Sequence, residues 1–194
     1  MSDKSRQSYA ALVKYLESLH KQDDRAAVAI LRRSLGKPPG ASPEVFRIIG
    51  RFIPESVRAE EDCFLVAALF AKYPLSWKPA DDEARSARNF GASMHKLKLK
   101  RELTRASEGV QRRFSALLAA SREELGDHLR HAISLLAADE VAVDWLQLLD
   151  DLGWWHLEDR RVQRRWARAF WRSEEGAEDV KTEDKQAESQ EGDE

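Results

Sequence analysis

Apolar residues recur at helical spacing along almost the whole chain, and this feature limits the fold more than any other. An amphipathic helix needs apolar residues at positions such as i, i+4 and i+7, whereas a half-buried strand needs strict alternation. The helical pattern recurs between about residues 8 and 172, and the Val/Ile/Thr-rich alternation typical of strands is nearly absent. The sequence therefore predicts an all-α fold.

Capping residues and helix breakers set the bounds of the predicted helices. Gly36 ends the second helix as a left-handed C-cap, Pro54 stops the third, and Ser121 with Glu124 has capping-box spacing. The stretch from about 59 to 72 is too apolar for a surface helix, so it is predicted to be the central core helix. The predicted helices cover about residues 8–20, 24–35, 43–52, 59–72, 110–118, 125–136, 143–152 and 157–172.

Two composition changes divide the chain. Residues 73–84 are rich in Pro and Asp with little periodicity, which indicates a surface connection between a helical lobe (1–84) and a helical bundle (85–173). Residues 174–194 hold almost no large apolar side chain, so a disordered acidic tail is predicted there. This tail carries ten acids and two lysines, and removing it from the chain's net charge of −2 leaves residues 1–173 at +6. The part predicted to fold is therefore basic.

The sequence does not favour an enzyme. No glycine-rich phosphate-binding motif is present, and Cys63, the single cysteine, lies in the most apolar helix and is predicted to be a core residue. His128 and His131 lack the further ligands of a metal site, and helix capping explains acid pairs such as Asp150 and Asp151. We predict no metal and no cofactor.

A lone cysteine and the lack of an apolar run of about 18 residues favour a soluble, cytoplasmic protein.

Basic side chains concentrate in residues 85–113, which hold nine Lys/Arg and two acids. Lysines and arginines that neutralise phosphates release counterions, so such a segment is typical of nucleic-acid binding; scarce opposite charges disfavour a merely solvated face. The arginine stripe of the last helix suits nucleic acid and acidic proteins equally. The predicted nucleic-acid-binding residues are Lys96, Lys98, Lys100, Arg101, Arg105, Arg112 and Arg113 in this segment, Arg164, Arg165 and Arg168 in the last helix, and Arg32, Arg33 and Arg130 elsewhere.

Several stretches match a known family in order. They are LRRSLGKPP, FLVAALFAKYP, NFGASMHKL, VQRRFSALLAA and, most specific, VDWLQLLDDLGWWHLEDRRVQRRWARAFW. The chain resembles, over about residues 31–171, the CasB small-subunit family of the type I-E CRISPR complex Cascade. The tail beyond residue 173 is not part of this resemblance.

The resemblance implies two small helical bundles in an elongated, non-catalytic subunit, present in two copies per complex. It implies as partners the CRISPR RNA, the target and displaced non-target DNA strands, the large CasA subunit and the CasC backbone. The subunit is then expected to stabilise the R-loop, an exchange of base pairs that protein contacts can tip. One alternative is a helical adaptor whose basic faces dock on acidic proteins. A helix-turn-helix regulator is less favoured, because the connection after Leu35 is long and Pro-rich.

Overall fold

The computed structural model describes residues 3–39, 41–77, 88–102 and 106–172. Across these ranges the chain forms nine α-helices and no strand, which confirms the all-α prediction. A 3-10 turn, Gly50–Phe52, follows α3. The helices are α1 Asp3–Lys21, α2 Arg25–Arg33, α3 Pro43–Ile49, α4 Val57–Lys72, α5 Phe90–Glu102, α6 Ser107–Ala119, α7 Leu125–Ala138, α8 Trp145–Leu152 and α9 Arg161–Phe170.

Side-chain caps start α2 and α7 close to the predicted starts of these helices. The Asp24 carboxylate accepts a hydrogen bond of 3.0 Å from the Ala27 N–H, which caps α2. Before α7, the Ser121 N–H donates to the Glu124 carboxylate at 3.2 Å, and the Glu124 N–H donates back to the Ser121 hydroxyl at 3.3 Å. Gly36 has φ +82°, the left-handed conformation predicted for it after α2.

Helix α4 is the centre of the core, as predicted. It packs against α1, α2, α7 and α8, and ten of its residues are buried. Cys63 is fully buried on this helix, and burial raises the pKa of its thiol far above the usual range. A thiol held neutral in this way fills space and does not act as a nucleophile.

Helix α5 is the helix that the periodicity leaves out. Lysine and leucine alternate from Lys96 to Lys100, a period-2 pattern that hides the helical period of the segment. Its first half, from Phe90 to His95, is entirely buried against the neighbouring helices α6, α7 and α9. The interior position, and not the surface pattern, decides that this segment is helical.

The predicted boundary between two lobes falls close to an ordered pairing. Residues 74–77 run beside residues 141–143, where the Val143 N–H donates to the Leu75 carbonyl at 3.2 Å and the Trp77 N–H to the Val143 carbonyl at 2.9 Å. Buried residues on both sides of the boundary belong to one hydrophobic cluster. The division at residue 84 stays a prediction, and most of the predicted connection, like the predicted tail, lies outside the described residues.

No helix in the described part of the chain is both long and apolar enough to cross a membrane.

Candidate nucleic-acid interface

Helix α9 separates an apolar face from a basic one. Val162, Trp166 and Phe170 recur every four residues and are buried. Arg164 and Arg168 stand on the opposite side and are exposed. Within the described ranges, neither arginine side chain has an acid or hydrogen-bond partner. These two guanidinium groups are therefore available to a phosphate or to a carboxylate of another molecule.

Arg161 extends the same exposed line by one turn towards the start of α9. It forms an ion pair with Asp159 at 3.2 Å, and its guanidinium lies 4.9 Å from the centre of the Trp154 ring. We call Arg161, Arg164 and Arg168 the α9 line. Because residues three and four apart on a helix are neighbours, the line forms one continuous positive strip.

Arg165, which the sequence analysis groups with Arg164 and Arg168, does not belong to this strip. Its guanidinium forms an ion pair with Asp151, a fully buried carboxylate. The Trp166 indole N–H donates to the same carboxylate at 2.5 Å and the Gln147 amide donates at 2.7 Å. Burial raises the pKa of Asp151 to about 6, against the opposing effect of Arg165. Arg165 thus fixes α9 on α8.

The explanation of Asp150 and Asp151 as capping residues is also wrong. Both lie near the C-terminal end of α8, where the helix dipole disfavours acids. Asp150 forms an ion pair with Arg6 of α1 at 3.3 Å, and Asp151 pairs with α9. Contacts with other helices, invisible in the local sequence, account for the two acids.

Three basic residues of α5 contact nearby groups of the same chain, two of them carboxylates. Lys100 donates to the Asp139 carbonyl at 2.7 Å, and the Arg101 guanidinium contacts the Asp139 carboxylate at 2.5 Å. Lys98 forms an ion pair with Glu102 at 3.5 Å. Asp139, from the end of α7, adds an opposite charge that a count along residues 85–113 does not include.

Lys96, also on α5, faces an aromatic ring. Its ammonium group lies 3.5 Å from the centre of the Trp77 ring, a cation–π contact. The Lys96 side chain is exposed, so the ammonium keeps contact with solvent. This lysine helps to hold α5 against the segment before residue 78.

Two arginines of α6 are candidates for the interface. Arg113 donates to the Gly109 carbonyl at 3.2 Å, whereas the Arg112 side chain has no partner among the described residues. Both are exposed. Phe114, the next residue, stacks 4.2 Å from Phe170 of α9. The contact between these rings brings α6 and α9 together at the end of the α9 line.

The candidate arginines of the other helices differ in how free they are. Arg32 donates to the Ala71 carbonyl at 3.0 Å and so ties α2 to the end of α4. Arg130 forms an ion pair with Asp127 one turn earlier on α7. Arg33 is exposed and has no side-chain partner in the described part of the chain. Arg105 lies outside the described residues.

Trp171 is a surface aromatic that the sequence analysis did not single out. It is 48% exposed, and its ring packs at 4.9 Å on Phe170 and 5.8 Å on Phe114. By contrast Trp155 is buried and donates its indole N–H to the Ala120 carbonyl at 3.3 Å. A helical-wheel projection of α9 extended by one residue would have placed Trp171 beside Arg168.

The described residues contain no cluster of three or more His, Cys, Asp or Glu side chains that could hold a metal ion.

Many all-α proteins carry basic helices, so comparison with known proteins decides the family. A sequence profile of the CRISPR-associated protein Cse2 family matches residues 27–171. The CRISPR-associated protein Cse2 of Thermus thermophilus is 34% identical over 161 residues, or 81% of this chain and 86% of that protein. The chain therefore belongs to the Cse2 (CasB) family, which confirms the resemblance seen in the sequence.

Solved structures agree with this assignment. CasB from Thermus thermophilus matches with a TM-score of 0.69 and 31% identity, over 89% of this chain and all of that chain (100%). CasB from M. ruber matches with a TM-score of 0.69 and 30% identity, over 89% of this chain and 97% of that one. A chain of a CRISPR RNA-guided surveillance complex matches with a TM-score of 0.70 and 25% identity, over 94% of this chain and 99% of that one.

Proposed function

We propose that this protein is a non-catalytic subunit of a CRISPR RNA-guided surveillance complex and that it binds the nucleic-acid backbone through the α9 line. The observation that carries the proposal is the pair of exposed arginines, Arg164 and Arg168, that lack partners within the described ranges. Family membership supports the assembly, because the matching chain of such a complex is covered over 99% of its length.

The charge distribution supports binding without sequence preference. Residues 1–173 carry a net charge of +6, and contacts to phosphates release counterions whatever the bases are. Arginine has a planar fork of donors that fits phosphate oxygens. Backbone contacts of this kind suit a protein that stabilises an R-loop and its displaced non-target strand, since the exchange of base pairs there is nearly balanced.

The structure favours α9 over α5 as the centre of the interface. On α5, Lys98, Lys100 and Arg101 would first have to give up contacts with Glu102 and Asp139. Arg164 and Arg168 on α9 have no such contacts to break within the described ranges before they bind a phosphate. We assign the paired residues of α5 to holding the bundle together. For the remaining surface we propose four partners: the large CasA subunit, the CasC backbone, the CRISPR RNA and a second copy of the chain.

The test is fluorescence anisotropy of labelled single-stranded DNA with the full chain, over a series of salt concentrations. The double variant Arg164→Gln/Arg168→Gln loses two phosphate contacts, so the slope of log affinity against log salt falls by about 1.4. At about 0.5–1 kcal/mol for each exposed contact, the affinity falls about 5–30-fold.

The matched control is Lys21→Gln/Arg25→Gln, which removes the same charge from exposed positions on α1 and α2. It leaves the salt slope unchanged if the contacts are local to α9. If both variants lose the same affinity, the loss is explained by net charge alone, and α9 is not the binding site. Absence of binding by the unmodified chain would favour the adaptor alternative, in which the basic faces dock on acidic proteins.

A further inference from the structure

Trp171 lies at the end of the α9 line, and the helix geometry holds it there. Its N–H donates to the Ala167 carbonyl at 2.9 Å, so the helical path continues through this residue. At about 100° per residue, Trp171 points within about 20° of Arg164, and Arg168 lies between them along the axis on the same side. An exposed aromatic ring therefore continues the row of exposed guanidinium groups.

The Trp171 ring is held by two aromatic neighbours and remains partly exposed to solvent. Phe170 and Phe114 pack against it at 4.9 and 5.8 Å, and Trp171 as a whole residue is 48% exposed. Of the other five tryptophans in the chain, Trp145, Trp155 and Trp166 are buried, and a ring face is covered by Arg161 in Trp154 and by Lys96 in Trp77. A large indole face left to solvent on a supported ring is a stacking surface.

The spacing fits a short stretch of single strand. From Arg164 to Trp171 the helix rises by about 10 Å, the length of roughly three nucleotides at 3.4 Å each. Proteins that bind single strands without sequence preference combine a basic track for the phosphates with aromatic rings for the bases. The α9 line and Trp171 supply the two parts on one face.

We infer that Trp171 stacks on an unpaired base of a single-stranded nucleic acid whose phosphates lie on Arg168 and Arg164. The inference rests on the proposed function and deepens it: the strand is selected for unpaired bases and not only for charge. A duplex, whose bases are stacked on one another, offers no free face to this ring.

The test compares two labelled oligonucleotides with the full chain: oligo-dT and an equally long oligonucleotide whose central positions are abasic. Trp171→Leu keeps an apolar side chain on Phe170 and Phe114 but removes the aromatic face. It weakens binding of oligo-dT about 5-fold or more and leaves binding of the abasic strand and the salt slope unchanged. Trp171→Phe retains a smaller ring and gives an intermediate loss.

The matched control is Phe46→Leu, which removes another partly exposed ring, on α3, and leaves both affinities unchanged. Circular dichroism of each variant checks that the helices are intact. Suppose that Trp171→Leu binds oligo-dT as tightly as the unmodified chain, or loses equal affinity for both strands. The proposed base stacking is then wrong, whereas the proposed phosphate contacts of α9 are not contradicted. If the unmodified chain binds neither strand, the proposed function fails and the stacking falls with it.

Discussion

Gly91 lies where α5 crosses α9, and replacing it by alanine tests the packing that positions the interface. A Cβ atom at this position would lie 2.7 Å from both the Cα and the carbonyl carbon of Trp166. Ordinary contact between carbon atoms is about 3.5–4.0 Å. The obstacle is backbone, which cannot rotate away as a flexible side chain can, so the two helices must separate by about 1 Å.

Two opposing effects set the magnitude. Alanine is favoured over glycine inside a helix by about 1 kcal/mol. Separating α5 from α9 weakens the dispersion contacts of their interface by roughly a quarter to a half, including the stacking of Phe90 on Trp166 at 5.1 Å. Overpacking that shifts side chains and backbone typically costs about 1–3 kcal/mol, and a clash with backbone belongs at the upper end of this range. After the helix preference of about 1 kcal/mol is subtracted, we expect Gly91→Ala to lower the free energy of unfolding by about 2 kcal/mol.

Urea unfolding followed by circular dichroism measures the change, with Gly126→Ala on α7 as the control. A Cβ at Gly126 would meet only the Leu65 side chain, at 3.7 Å, so this variant keeps or slightly gains stability. If both variants are as stable as the unmodified protein, α5 and α9 do not approach each other as closely at Gly91 as the structure shows.

Two further predictions concern buried carboxylates. Asp151→Ala leaves the half-buried Arg165 guanidinium without its partner and the buried Trp166 indole without its acceptor, so we expect a loss of about 2–3 kcal/mol in the same unfolding assay; a loss below about 1 kcal/mol would contradict the network. Burial raises the pKa of Asp62 to about 6, although Arg122 opposes this, so the folded protein holds that proton more tightly than the unfolded chain. The free energy of unfolding therefore falls as the pH rises from about 4 through about 6. In Asp62→Asn, we expect a plot of the free energy of unfolding against pH to be flatter over this interval. An unchanged plot would show that Asp62 ionises normally.

The sequence predicted the helices well because their signals are local. The cap at Asp24, the left-handed Gly36 and the capping-box residues Ser121 and Glu124 each act within one turn, so neighbouring residues suffice to identify them. The apolar stretch of α4 likewise indicates a central helix without any knowledge of its partners.

The candidate site was harder to predict because its charges are decided by distant contacts. Asp139 neutralises Arg101 across 38 residues, and Asp151 withdraws Arg165 from the basic face across 14 residues. Counting charges along a segment cannot detect either pairing. The free arginines of α9 could be identified from the sequence as basic residues but not separated from Arg165.

Cross-linking of the full chain to single-stranded DNA that carries photoreactive thymidines, followed by mass spectrometry, locates the residues that contact the strand. We expect cross-linked peptides from α9 and residue 171, lost in the Arg164→Gln/Arg168→Gln variant. Cross-links confined to α5, between Lys96 and Arg101, would contradict this expectation, because the paired basic residues would then form the interface and the exposed arginines would not.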